Sequence, residues 1–164
     1  MVFKSCIVTV DGVNFSRRFI IKELSIYFLE SNTLRHYVFK KPTDFFLTGS
    51  DHSTLRHYHN VLGGQNMHDH QDGSLEYCIH ASILTSLKDY RIFTQGNVAT
   101  DFISSILPCG DVWDIQEISM HKYPAELAYA NCGIPHNPRY CSLAKLWHIR
   151  GYLAMHPLPD HIRC

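Results

Sequence analysis

A chain of 164 residues with 45% hydrophobic content has enough apolar surface for one domain with a real core. Its formal net charge is zero and only 18% of residues are charged, which excludes a protein gripping nucleic acid mainly by bulk neutralisation of phosphates, though not one with a local basic patch. No run approaches the roughly 18–20 apolar residues of a membrane span, and the apolar start is too short for a secretory leader, so the expectation is an intracellular protein, cytoplasmic or nuclear, with no membrane partner.

In that reducing setting the six cysteines, at 6, 78, 109, 132, 141 and 164, read as core residues or metal ligands rather than disulfides. The twelve histidines make the charge pH-sensitive below about 6.5.

In chain order, residues 3–10 read as a buried β-branched strand ending at Asp11-Gly12, a turn signal. Residues 19–29 form a second strand whose apolar run is broken by Lys22-Glu23 and Ser25. A carboxylate there is costly to bury without a partner. Residues 34–40 form a third strand, completing an antiparallel meander. Residues 51–63 predict a short helix capped by Ser50 or Asp51 and stopped by Gly63-Gly64. Residues 74–87 predict a better helix with Leu75, Cys78, Ile79, Ser82, Ile83 and Ser86 on one face. Residues 91–94 and 112–115 read as strands joined by a helix that starts after Gly96-Asn97, with Val98, Phe102, Ile103 and Ile106 along one side. A short helix over 124–130 follows. The closing helix, 140–156, carries Leu143, Leu146, Trp147, Arg150 and Leu153 on one face. The domain spans 1–156, and 157–164 is a C-terminal tail.

The predicted fold class is α/β: a central mixed sheet, three antiparallel strands plus two parallel ones, flanked by helices in the ribonuclease-H-like order.

Between the last two helices lies Cys132-Gly-Ile-Pro-His136-Asn-Pro-Arg-Tyr-Cys141. Cys132, His136 and Cys141 are soft ligands in a loop that cannot bury a core of its own, and Zn²⁺ is the ion such ligands prefer. A closed structural zinc site needs one more ligand, and Glu23, His121 and Cys109 are candidates. His57, His59, His68 and His70 form a second His-rich group without matching cysteines, which reads as a polar loop.

The layout resembles that of the DEDDh exonucleases, proofreading nucleases of ribonuclease-H-like fold. These place acids on the first strand and on a mid-chain helix, then a His and an Asp five residues apart before the last helix, around two magnesium ions. This chain departs at the key atoms. Val13 stands two residues beyond Asp11, Ala99 takes the helix position with Asp101 two residues on, and Cys141 replaces the final Asp after His136. A residual acid set of Asp11, Asp101 and Asp114 is the weak catalytic alternative. Asp11 before Gly12 otherwise reads as a turn-former.

Glu23 in Phe19-Ile-Ile-Lys-Glu-Leu24, with Cys132, His136, Cys141 and the following Ser142-Leu-Ala144, resembles the Maelstrom domain, in which a Glu-Cys-His-Cys zinc site replaced the nuclease acids. It is also similar to a group of small invertebrate proteins, some encoded near mobile elements, with the same strand and ending. The resemblance covers about residues 3–155. It implies Glu23 as the fourth zinc ligand, and single-stranded RNA, or protein partners of a small-RNA (piRNA) silencing or mobile-element pathway, as binding partners. It leaves RNA cleavage open. The box that precedes this domain in Maelstrom proteins is not in this sequence. Arg17, Arg18, Arg35, Lys40 and Lys41, interleaved with Tyr27 and Tyr37, are the candidate RNA contacts; the plain alternative is a solvated sheet edge on a purely structural protein.

Overall fold

The computed structural model describes residues 4–16, 18–43, 47–64, 73–116 and 141–155. Its centre is a five-stranded sheet in the order β3-β2-β1-β4-β5. Strands β1 (Ser5–Asn14), β2 (Phe19–Phe28) and β3 (Thr33–Val38) are an antiparallel meander. Strands β4 (Arg91–Thr94) and β5 (Asp111–Asp114) add in parallel beside β1. The mixed α/β sheet expected from the sequence is present.

Four α-helices lie among the described residues: α1 (Gly49–Arg56), α2 (Ile79–Thr85), α3 (Asn97–Ile106) and α4 (Ser142–Met155). Alternation along the strands sends side chains to opposite faces. On one face Cys6, Val8, Val10, Ile21, Leu24, Ile26 and Ile92 pack with Leu84 and Leu87 from α2 and its following turn, and with Ala99 and Ile103 of α3. On the other, Ile7, Tyr27 and Phe93 meet Leu146 and Ile149 of α4. At roughly 25 cal/mol per Å² of apolar area removed from water, these two layers hold the sheet between helices.

Three local expectations are corrected. Asp11-Gly12 is no turn: β1 runs through it to Asn14, with a register shift between Asp11 and Gly12. Asp11 lies opposite Glu23 and Gly12 opposite Ile21, which leaves Lys22 as the extra residue of a β-bulge. Gly12 is required there by close approach, since a Cβ would sit 2.0 Å from the Ile20 carbonyl oxygen. The chain reverses later, where the Phe15 amide donates to the Arg18 carbonyl at 3.0 Å.

The helix before the polar loop is capped by Thr48 rather than Ser50 or Asp51. Thr48 and Asp51 form a reciprocal capping box, and the helix continues as a π-helical turn, His57–Val61. The helix predicted over 74–87 is only Ile79–Thr85, because Leu75 pairs in extended form with Phe39. Its predicted apolar face is also wrong: Cys78 and Ile79 are exposed, while Leu84 and Leu87 are buried. Smaller differences occur in α3 and α4. Ala99 takes the buried position that periodicity gave to Val98, which is 39% exposed. Arg150 is exposed but stacks over Tyr27 and Trp147, with its guanidinium 4.7 and 4.9 Å from the ring centres. The expected helix over 124–130 lies outside the described residues.

Candidate functional site

The α4-facing side of the sheet carries a buried polar file through an otherwise apolar layer. Directly opposed residues of antiparallel strands share a face, so Asp11 sits beside Glu23 and Thr9 beside Ser25. All four are buried, Glu23 completely. The start of α4 closes over them. Thr9 Oγ1 donates to the Ser142 carbonyl at 2.6 Å, and the Ser25 and Ser142 hydroxyls are 2.7 Å apart.

Glu23 Oε1 is the hub. The Cys141 thiol lies 3.6 Å away, the Ser142 hydroxyl donates at 3.1 Å, and His36 Nε2 of β3 is at 2.9 Å. Glu23 and Cys141 are 118 residues apart in sequence. The oxygen and sulfur of a tetrahedral zinc site, at roughly 2.0 and 2.3 Å from the metal, stand roughly 3.5 Å from one another. The pair therefore fits two corners of a zinc tetrahedron, and it equally fits a thiol hydrogen bond. Lys40, one of the candidate RNA contacts, pairs instead with Glu76 at 2.9 Å.

Among the described residues no group of three or more His, Cys, Asp or Glu side chains is placed to hold a metal ion. A complete zinc site at Glu23 and Cys141 thus requires ligands from beyond them. Cys132, His136 and His121 lie outside the described residues, as do His68, His70 and Arg17. Cys109 is exposed in the turn after α3, unlike the fully buried Glu23. Cys6 is an inert core residue whose thiol is pushed up to about 12 by burial and, secondarily, by Glu30.

No family model, curated protein or solved structure matches this chain. The site must be judged on its own chemistry.

Asp11 is held by two groups that sequence reasoning missed. Lys145 Nζ of α4 lies 2.9 Å from Oδ1, and the Tyr58 hydroxyl, presented by the π-helical turn, donates to Oδ2 at 2.6 Å. Burial raises the Asp11 carboxyl to about 6, with Glu23 adding to the rise and Lys145 and Tyr58 opposing it. The residual acids are not gathered around it. Asp101 is exposed on α3, and Asp114 Oδ1 accepts the backbone amides of Gly96 and Gln116, each at 3.0 Å.

Asp11 and Lys145 form one wall of a cleft of ≈ 320 Å³ at the carboxyl ends of β1 and β4, roofed by the N-terminus of α3. That is where open α/β sheets place ligands. Asn14, Phe19 and Val98 are shared with a second depression that holds Arg18, Asp101 and Phe102. Of the expected RNA contacts among the described residues, Arg18 alone lines this groove; Arg35 and Lys41 are exposed along the β3 edge and just beyond it. His57 and His59 are exposed on either side of buried Tyr58. No helix among the described residues is long and apolar enough to cross a membrane.

Proposed function

We propose that the chain is a ribonuclease-H-like domain of Maelstrom type, clamped by zinc through Glu23, Cys132, His136 and Cys141. In this reading it binds single-stranded RNA in small-RNA or mobile-element biology without magnesium-dependent cleavage. The observation that carries the reading is the Lys145–Asp11 pair at 2.9 Å. The acid best placed for a divalent ion in the cleft is already neutralised by an ammonium, which a magnesium ion would have to displace. The strand order β3-β2-β1-β4-β5, with its antiparallel meander and two parallel strands, supports the fold assignment, and the Glu23–Cys141 contact supports the clamp. The groove supports RNA as the ligand, since it combines Lys145, Arg18 and the aromatic rings of Phe19 and Phe102.

A second reading has one specific support. A buried carboxylate raised to about 6 beside a cleft is the signature of a general acid or base, so a ribonuclease working through Asp11 is the competitor.

One experiment separates them. A short oligouridylate is titrated at two salt concentrations with and without magnesium, and its integrity is followed. The proposal expects intact RNA, affinity independent of magnesium, and log K falling against log salt with a slope of about −2 for two or three phosphates neutralised. Cleavage abolished in Asp11→Asn would establish the ribonuclease instead. No binding at low salt would leave a structural protein.

A further inference from the structure

The cleft contains donors that neither the fold nor the zinc clamp uses. Gly96, the N-cap of α3, has no side chain with which to cap the helix, and its own amide goes to Asp114. The first-turn amides of an α-helix have no intrahelical acceptor, and no acidic residue of that turn offsets their partial positive charge. Thr94, the last residue of β4, lines the same cleft, is fully buried, and its Oγ1 has no hydrogen-bond partner among the described residues. Buried hydroxyls are ordinarily satisfied, so an unpaired one at a cleft marks a place for an incoming group.

Lys145 supplies the third element. Its ammonium has three N–H donors; the Val10 carbonyl at 3.2 Å and Asp11 Oδ1 at 2.9 Å take two, leaving one without a partner among the described residues. Asp11 and Lys145 offset one another, so what faces an incoming anion is the remaining Lys145 N–H together with the α3 amides; Asp114 Oδ1 faces two backbone amides.

We propose that Lys145, Thr94 and the uncapped N-terminus of α3 form a seat for a phosphate group, occupied by a phosphate of single-stranded RNA with no divalent metal. The seat deepens the RNA-binding reading and rests on it for the source of the phosphate. A lysine carried on α4 thereby takes the place of a metal ion in holding the phosphate: it presents its remaining N–H donor to a phosphate oxygen, while lacking the open coordination positions that activate water. Phe19, on the cleft wall, offers a ring on which the attached base can stack.

The test is an amide-resolved NMR titration of the zinc-loaded full chain in magnesium-free buffer, using inorganic phosphate, uridine, uridine 5′-monophosphate and an oligouridylate. Phosphate and the monophosphate should shift the Asn97 and Val98 amides, and uridine should not. Thr94→Val deletes a hydroxyl that has no partner among the described residues, so it should fold with an unchanged or higher melting temperature yet weaken the monophosphate about threefold. Lys145→Met should weaken it about tenfold or more, as expected for loss of a charged hydrogen bond. The seat is overturned if those amides do not respond, if uridine shifts them equally, if neither variant weakens binding, or if binding needs magnesium. Oligouridylate binding that leaves these amides unmoved refutes the seat while sparing the RNA reading. Monophosphate binding without oligouridylate binding upholds the seat and refutes RNA as its source.

Discussion

Replacing Lys145 by Met will destabilise the domain by about 3 kcal/mol near pH 8 and far less near pH 5, because removing one partner strands a buried charge. Asp11 is 3% exposed and lies across from the fully buried Glu23. Its folded-state pKa of about 6 stands above the ordinary 3.8, so the folded protein holds the proton longer than the unfolded chain does. The contribution of Asp11 to stability is therefore greatest below about pH 4 and is lost as pH rises through about 6. Lys145 pulls this pKa down; without it the pKa climbs further, and each added unit costs about 1.4 kcal/mol in the range where wild-type Asp11 is ionised. Chemical denaturation at the two pH values reads the difference directly. The double variant Asp11→Asn/Lys145→Met should regain most of the loss near pH 8. A loss equal at both pH values would mean that the lysine acts only through packing of its alkyl stem.

The second large effect is at Glu23. Glu23→Gln keeps the shape and can still accept the Ser142 hydroxyl, so if Glu23 served only as a hydrogen-bonded buried acid the change would be mild. In the zinc-clamp reading Glu23→Gln removes an anionic ligand. Zinc content should fall well below that of the wild type, and the melting temperature should drop by roughly 10 °C, corresponding to about 3–5 kcal/mol in a domain of this size. Glu23→Ala should be worse, since it also leaves the Ser142 hydroxyl and His36 without their shared acceptor. Metal analysis and thermal melts of both variants check this. Unchanged zinc content in Glu23→Gln would remove Glu23 from the ligand set.

The meander, the two parallel strands and α3 were legible because their apolar runs are clear and bounded by turn residues, whereas the helix expected over 74–87 was legible only in part, its extent and apolar face both misplaced. Glu23 was legible for a different reason: a carboxylate inside an apolar strand must have a partner. Cys141 stood out through its spacing from His136.

The Asp11 environment was hidden. Asp-Gly is a turn signal in general, and only the pairing of β1 with β2, with the bulge at Lys22 across from Asp11-Gly12, keeps the strand running and puts Asp11 on the buried face. Lys145 lies off the apolar face expected of the closing helix. Its position one turn after Cys141 was the available clue, because residues four apart share a helix face. Tyr58 reaches Asp11 from a π-helical turn, a departure from helical period that no apolar pattern announces. Thr94 carried no sequence signal; that its buried hydroxyl lacks a partner among the described residues shows only in the folded chain.

The zinc clamp is the centre of the account, and X-ray absorption at the zinc edge on the purified full chain tests it most directly. A zinc clamp gives about one zinc per chain with two sulfur, one nitrogen and one oxygen neighbour, the oxygen lost in Glu23→Gln. A folded, metal-free protein would contradict it, as would a zinc shell with no oxygen in the wild type.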